Sequence, residues 1–287
     1  MKDKFENYLN KIFKKVKKTP EMEDLKNEIM NDLLEKSEDV KSITNNDEEN
    51  YAICINSLGD LYTLIKEYKK DYSKLKHKIE LPKYKLGEEL VNAISHGFGV
   101  LLSVAILILC ILKADTGLEL FSVLFYGITS IVLYLMSCLY HSLKPNNAKR
   151  IFRIFDHCSI FLLIAGTYTP MVLLVLPLKL GWTMFGIVWG LAVIGIILNS
   201  IDLKKFKTIS MILYLSMGWC IIFSFKSLWE NMNHIGILLT LLGGITYTIG
   251  AILYGVGKKK KYMHSIFHIF CLLASLFFFL AIYIYVL

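Results

Sequence analysis

The chain has 287 residues, of which 55% are hydrophobic and 20% charged, and its formal net charge is +8. Several apolar runs after residue 88 reach the length of about 18 residues that a membrane-spanning helix needs. This composition predicts an integral membrane protein and argues against a wholly soluble one. Loops that fix membrane orientation explain the excess positive charge, so we expect no nucleic-acid partner.

Residues 1–85 predict a small soluble helical domain ahead of the membrane part. They hold 18 Lys and 17 Asp or Glu, and their apolar residues recur at helical spacing. Thr19 and Pro20 are typical of the cap and the first residue of a helix. The later stretch SLGDLYTLI (residues 57–65) predicts that one helix ends and another begins around a break at Gly59.

Residues 5–70 resemble the HAAS family, a small helical module often fused to membrane proteins. The resemblance rests on a Glu-rich helix followed by the SLGDLYTLI element. It implies a regulatory or interaction module with no chemistry of its own. We therefore expect residues 1–85 to form a cytoplasmic domain that binds a cytoplasmic protein partner.

Residues 86–287 predict a bundle of seven transmembrane helices, so the predicted fold class is all-α with a small soluble helical domain at the N-terminus. Each span is an apolar run bounded by charged or turn-forming residues. The expected spans are roughly 89–112, 119–141, 154–176, 182–200, 208–226, 235–255 and 264–286.

The loop charges predict the orientation of this bundle. Loops 142–153, 201–207 and 256–263 hold eleven Lys or Arg, four of them in the run Lys258–Lys261. The other three loops, with their edges, hold only three. Lys- and Arg-rich loops stay in the cytoplasm. The N-terminus is therefore predicted inside, and the C-terminus outside, in a multi-pass protein of the cell membrane.

Polar and ionisable residues are few within the predicted spans, and they lie at four span ends. These residues are Glu89, Asn92 and His96; Ser137 and His141; Asp156; and His264 and His268. The predicted topology places all four span ends on the cytoplasmic side at similar depth. Because ionisable residues at membrane depth are costly and usually functional, we expect the four clusters to form one site.

His264 and His268 are spaced i, i+4, so one helix turn can direct both imidazoles to one metal ion. Three histidines are a recurrent catalytic zinc shell, and His141 at the same predicted depth is the expected third ligand. The alternative is that the pair only marks the membrane interface. The sequence thus predicts a zinc site with ligands from the second and seventh spans.

Asp156 and Ser137 are the candidate catalytic residues beside this metal. Asp156 is expected to hold or deprotonate a water, and Ser137 to donate a hydrogen bond to a developing oxyanion. In the structural alternatives, Asp156 caps a helix and Ser137 bonds to a carbonyl of its own helix. A second group, expected to orient the ligands or to line substrate access, comprises Glu89, Asn92 and His96.

Residues 86–287 resemble the hemolysin III family of the PAQR group, which includes adiponectin and progestin receptors and is related to alkaline ceramidases. The resemblance is carried by NAISHGFG, MSCLYHS, FDHCSIFLLIAGTYTP and MHSIFHIFCLLAS. It implies a seven-helix bundle with a cytoplasmic N-terminus and an intramembrane zinc ion on His141, His264 and His268. It also implies lipid hydrolysis for some members, whereas the family name implies haemolysis. The HAAS-like domain departs from the short bacterial pattern and suggests regulation.

Three functions are compatible with these residues. The first is zinc-dependent hydrolysis of an amide or ester bond, with a membrane lipid as substrate. The second is a cytolytic or channel-like protein, although the spans lack a polar stripe suited to a wide aqueous pore. The third is a receptor or sensor of membrane state, with structural zinc and the N-terminal domain as its output. The residues alone do not separate the first from the third.

Overall fold

The structure is a computed structural model that describes residues 1–44, 46–78, 81–82, 84–256 and 260–287. Lys258 and Lys259 of the charged run, and Ile79, Glu80 and Lys83 of the linker, lie outside this part of the chain. The chain divides into two compact units, Met1–His77 and Lys78–Leu287.

The first unit is helical, as its apolar spacing predicts. Phe5 and Leu9 on α1 (Lys2–Phe13) and Leu33 on α2 (Pro20–Lys41) are almost fully buried in its core. Thr19 caps α2, because its side chain accepts a hydrogen bond from the backbone N–H of Met22. The four helices are α1 (Lys2–Phe13), α2 (Pro20–Lys41), α3 (Asp47–Ser57) and α4 (Leu61–Lys78).

The break between α3 and α4 is formed by Gly59 and Asp60, as predicted. Gly59 adopts a left-handed backbone with φ of 61°, a conformation that costs most other residues energy because of their Cβ atom. Asp60 then accepts hydrogen bonds from the backbone N–H groups of Tyr62 and Thr63. These contacts satisfy donors that the first turn of α4 would otherwise leave free.

The second unit contains seven helical segments that are long and apolar enough to cross a membrane, among the described residues, which confirms the predicted fold class. Their helices are α5 (Leu86–Lys113), α6 (Gly117–Ser142), α7 (Asn147–Val175), α8 (Leu178–Asp202), α9 (Lys207–Trp219) with α10 (Phe225–Asn231), α11 (His234–Val256) and α12 (Met263–Tyr285).

The third membrane helix begins earlier than predicted. We expected a loop up to residue 153, whereas α7 starts at Asn147, with the Asn146 side chain accepting a hydrogen bond from the backbone N–H of Lys149. This cap lets the helix start among basic residues that hydropathy assigns to a loop. Lys149 and Arg153 are therefore helical, and they project from α7 at the end where the site lies.

The fifth membrane segment is broken where a continuous span was predicted over residues 208–226. A short 3-10 helix, Cys220–Ser224, separates α9 from α10, and the segment continues to Asn231. The Tyr168 hydroxyl donates to the carbonyl of Gly218 and accepts from the backbone N–H of Ile221. A side chain inserted into the backbone ladder in this way is a recognised cause of helix breaks.

Two features bring the site-bearing helices together. The Glu88 carboxylate at the start of α5 accepts a hydrogen bond from the backbone N–H of Tyr262, just before α12, at 2.8 Å. On the neighbouring pair, a Cβ on Gly166 of α7 would lie 1.9 Å from Thr129 Oγ1 on α6. Only a residue without a Cβ allows this approach, so the sequence of α7 sets the spacing between the two helices.

Candidate metal centre

Three histidines from two helices converge near one end of the bundle. His141 lies in the last turn of α6, and His264 and His268 lie in the first turns of α12. The Nε2 atom of His264 is 3.2 Å from that of His141 and 3.0 Å from that of His268. All three offer a ligand atom within 4.8 Å of the others, so the cluster could hold a metal ion.

The chemistry of these three rings fits a metal. A tetrahedral zinc ion with Zn–N distances of 2.0–2.1 Å would place its nitrogen ligands about 3.3 Å apart, close to the spacing found here. A neutral imidazole has one donor and one acceptor nitrogen. His264 Nε2 faces two other Nε2 atoms and can donate only one hydrogen, so hydrogen bonding alone does not satisfy the arrangement.

Glu89 determines which nitrogen of His141 faces the cluster. His141 Nδ1 lies 2.6 Å from Glu89 Oε2, so the ring donates its Nδ1 proton to this carboxylate. Its Nε2 atom is then left with the lone pair that a metal requires. A carboxylate that fixes a ligating histidine in this way is a recurrent feature of zinc sites.

Lys149 anchors Glu89, a contact that sequence reasoning missed. The ammonium donates to Glu89 Oε1 at 2.7 Å and to the carbonyl of Leu143 at 2.9 Å. Lys149 is only 2% exposed, although it was counted among the charges of a loop. Its position three residues after the cap residue Asn146 is the one local signal, because it places the side chain in the first turn of a helix.

Asn92 and His96 continue the α5 face that begins with Glu89. The Asn92 amide lies 3.4 Å from His141 Nδ1. The His96 ring stacks on His268 with centroids 3.6 Å apart, and it meets Tyr134 edge-on at 5.1 Å. The helical spacing therefore brings all three α5 residues to the histidine cluster, where Asn92 and His96 are both buried.

Asp156 and Ser137 also lie at the cluster without belonging to the three-ligand group. Asp156 is buried and lines the same cavity as His264 and His268, and the Ser137 Oγ atom is buried without a hydrogen-bond partner among the described residues. The Oδ2 atom of Asp156 lies 3.4 Å from Nδ1 of the adjacent His157. His157 thus contacts Asp156 rather than the metal candidates.

Aromatic rings cover the outer side of His264. Tyr84, which precedes α5, stacks on its imidazole with a centroid distance of 5.2 Å and an interplanar angle of 13°. Tyr254 near the end of α11 approaches the same ring at 5.2 Å. Neither tyrosine has a spacing that relates it to the histidines, so no local signal in the sequence could have identified them.

The cluster opens into a large cavity within the second unit. This cavity has a volume of about 790 Å³, and its wall includes Ser137, Asp156, His264 and His268. Farther from the cluster the wall is mainly apolar and aromatic, with Leu133, Leu163, Trp219 and Phe278. Ligand pockets usually have volumes of about 300–1,000 Å³, so this cavity is large enough to hold a small ligand beside His264 and His268.

Comparison with known proteins identifies relatives of the membrane unit. Residues 84–279 match the Haemolysin-III related family. The chain is 41% identical to Hemolysin-3 of Bacillus cereus over 203 residues, which cover 70% of this chain and 92% of that protein. It is 42% identical to the Hemolysin-3 homolog of Bacillus subtilis (strain 168) over 192 residues, covering 66% and 90%.

A human relative extends the comparison. The chain is 25% identical to the Monocyte to macrophage differentiation factor of Homo sapiens over 204 residues, covering 69% of this chain and 84% of that protein. The matched region begins at residue 84, so the HAAS-like assignment of the first unit stays a prediction. The second unit carries seven apolar helices and a three-histidine cluster. With the match over residues 84–279, this multi-pass membrane protein belongs to the Haemolysin-III related family.

Proposed function

We propose that this protein is a zinc-dependent hydrolase that cleaves an amide or ester bond of a membrane lipid. The observation that carries the proposal is the convergence of three imidazoles, two of which line a largely apolar cavity that Asp156 and Ser137 also line. A structural zinc site is usually closed by four protein ligands, whereas a catalytic site keeps a position open. Here only three histidines converge, and the cavity beside them is wide and apolar enough for a lipid. The arrangement therefore favours a catalytic zinc site over a structural one.

The roles of the residues follow from their positions. When bound, zinc supplies Lewis-acid polarisation of a carbonyl and makes water acidic enough to react near neutral pH. Asp156 accepts the proton of the attacking water, because its buried carboxylate lines the same cavity as His264 and His268. Ser137 donates a hydrogen bond to the carbonyl oxygen as negative charge develops there. Glu89 and Lys149 keep the His141 ring in place.

The proposed site of action is the cytoplasmic half of the cell membrane. The basic residues that predict a cytoplasmic end, among them Lys144 and Lys204, lie at the same ends of helices as the histidine cluster. Two relatives carry the name hemolysin. Hydrolysis of membrane lipids is one chemical route by which such a protein would damage a cell, and it needs no aqueous pore.

Replacing Asp156 with Asn is expected to lower lipid hydrolysis by about 100-fold or more, because removing a general base typically costs that much. The isosteric change leaves the three histidines intact, so metal content should stay at the wild-type level. The measurement combines fatty-acid release, followed by mass spectrometry, with metal analysis of the purified full-length protein. Asp115→Asn is the matched control, since Asp115 is exposed at the other end of the bundle.

Two outcomes contradict the proposal. Metal-loaded wild-type protein that turns over no lipid amide or ester would favour a receptor or sensor with structural zinc. Full activity in Asp156→Asn would remove the proposed base from the mechanism.

Replacing Glu89 with Gln is expected to weaken metal binding about 10- to 100-fold, the usual effect of losing a carboxylate behind a histidine ligand. The amide no longer holds the Nδ1 proton of His141 as strongly, so the Nε2 lone pair is less well oriented. Competition with a chelator measures the affinity, and Glu230→Gln serves as an exposed control. Equal affinities of the wild type and Glu89→Gln would show that the contact at 2.6 Å does not support the metal.

A further inference from the structure

The wall of the cavity is strongly charged at the end where the histidines lie. Its lining includes six basic side chains, which are Lys85, Arg153, Lys204, Lys207, Lys260 and Lys261. The carboxylates of the lining are Glu88 and Asp156. The Glu88 carboxylate is occupied by backbone N–H groups of Lys85 and Tyr262, and Asp156 contacts His157. The mouth of the cavity therefore carries a clear excess of positive charge.

The cavity-lining residues of helix α7 show at which depth in the cavity the charged and apolar parts of the wall lie. Its residues Arg153, Asp156, Ile160, Leu163 and Thr167 all line the cavity, at the spacing of one helix face. With a rise of 1.5 Å per residue, Arg153 lies about 4.5 Å before Asp156 along the helix axis, and Thr167 about 16 Å beyond it. A ligand that fills the cavity would meet positive charge first, then the cluster, then an apolar channel.

Arg153 is well suited to an anionic group at this mouth. It is partly buried, and its Nε atom is buried without a hydrogen-bond partner among the described residues. A guanidinium binds phosphate through two parallel N–H groups, and such charge-assisted bonds are among the strongest in proteins. Lys207 at the start of α9 and Lys260 before α12 border the same space.

Membrane orientation alone does not explain this distribution. Positive residues orient a membrane protein wherever they lie near the cytoplasmic ends of the spans. Lys144 and Lys205 lie in loops at the same end and do not line the cavity. Topology therefore explains why basic residues lie at this end of the bundle, but it does not explain why so many of them line the cavity. Binding of a negatively charged ligand would explain it.

We propose that the cavity binds a lipid with a phosphate-bearing, negatively charged headgroup. Arg153, Lys207 and the neighbouring lysines hold the phosphate, and the acyl chain extends along α7 toward Thr167 and Phe278. The bond about one helix turn below the phosphate then lies beside the histidine cluster. This inference rests on the proposed function for the fate of that bond, whereas binding of the headgroup does not require hydrolysis.

The test compares two single-chain lipids that differ only in headgroup charge. Lauroyl lysophosphatidic acid and lauroyl lysophosphatidylcholine are titrated into the purified full-length Asp156→Asn protein in neutral detergent, with binding followed by native mass spectrometry. We expect at least a tenfold preference for the anionic lipid, weakening as salt screens the charges. Equal affinities for the two lipids would overturn the inference.

A pair of double variants assigns the preference to the cavity wall. Arg153→Gln/Lys207→Gln should lose the preference, and Lys144→Gln/Lys205→Gln, which removes two charges at the same end but off the wall, should keep it. A preference that survives in the first variant, with its helicity and thermal unfolding unchanged, would also overturn the inference. Should that variant misfold, the preference of the Asp156→Asn protein and its salt dependence still decide the question.

Two further experiments separate binding of the headgroup from binding of the chain, and lipid binding from lipid hydrolysis. Glycerol 3-phosphate and inorganic phosphate test the headgroup alone, and binding as tight as that of the lauroyl lipid would show an anion site with no role for the chain. Anionic binding without turnover by the wild type would contradict the proposed hydrolase while supporting the headgroup site. Hydrolysis with no headgroup preference would support the hydrolase and contradict the site.

Discussion

His264→Ala and His268→Ala are each expected to leave the purified protein with less than about a tenth of the wild-type metal. Zinc sites with four ligands bind with about 10–16 kcal/mol, which is about 3 kcal/mol per ligand. Losing one of three histidines should therefore weaken binding on the order of 100-fold. Elemental analysis after purification in the presence of a weak chelator measures the difference.

His234→Ala provides the matched control for these two variants. His234 lies at the start of α11, is exposed, and stacks on Trp229 with centroids 4.2 Å apart, away from the cluster. Its loss removes an imidazole without touching the candidate site, so metal content should not change. Wild-type metal content in His268→Ala would mean that the convergence of the three Nε2 atoms does not form a metal site.

Gly166→Ala should destabilise the membrane unit by about 1–3 kcal/mol, the usual cost of forcing extra volume into a packed interior. The new Cβ would lie 1.9 Å from Thr129 Oγ1 and 2.9 Å from the backbone carbonyl of Phe125. Because the second contact is with backbone, rotation of the Thr129 side chain cannot relieve the overlap, and α6 and α7 must move apart. Thermal unfolding in detergent measures the loss.

Gly190→Ala is the control for Gly166→Ala. A Cβ on Gly190 of α8 would meet nothing within 4 Å, so only the better helix propensity of alanine remains, and stability should hold or rise slightly. Adding Thr129→Ala to Gly166→Ala should recover part of the loss, as expected for residues in direct contact. A wild-type unfolding temperature in Gly166→Ala would show that the two helices do not need this close approach.

The boundaries of the membrane helices show where local reasoning succeeds. Hydropathy located all seven segments, because a membrane span is a run of consecutive apolar residues and can be recognised from local sequence alone. It misjudged the start of α7, since basic residues in the first turns of a helix have the same hydropathy as those in a loop. It also missed the break after Trp219, which depends on Tyr168, 51 residues earlier in the chain.

At the candidate site, too, relations within one helix were predictable from sequence, whereas contacts between distant segments were not. Spacing alone pairs His264 with His268 and places Glu89, Asn92 and His96 on one face of α5, because both relations lie within a single helix. Depth in the membrane favoured His141 as the third ligand, although no spacing connects it to the others. Lys149 and Tyr84 were missed, because their contacts with Glu89 and His264 join separate segments.

The sequence by itself determined that this is a seven-helix membrane protein with titratable side chains near one end of its bundle. Both properties depend on local hydropathy and on periodicity within single helices. The tertiary structure decided which ring nitrogens face one another, that Lys149 is buried against Glu89, and that basic side chains border the cavity. These features depend on how each helix is rotated about its axis, and side-chain packing between distant segments sets that rotation.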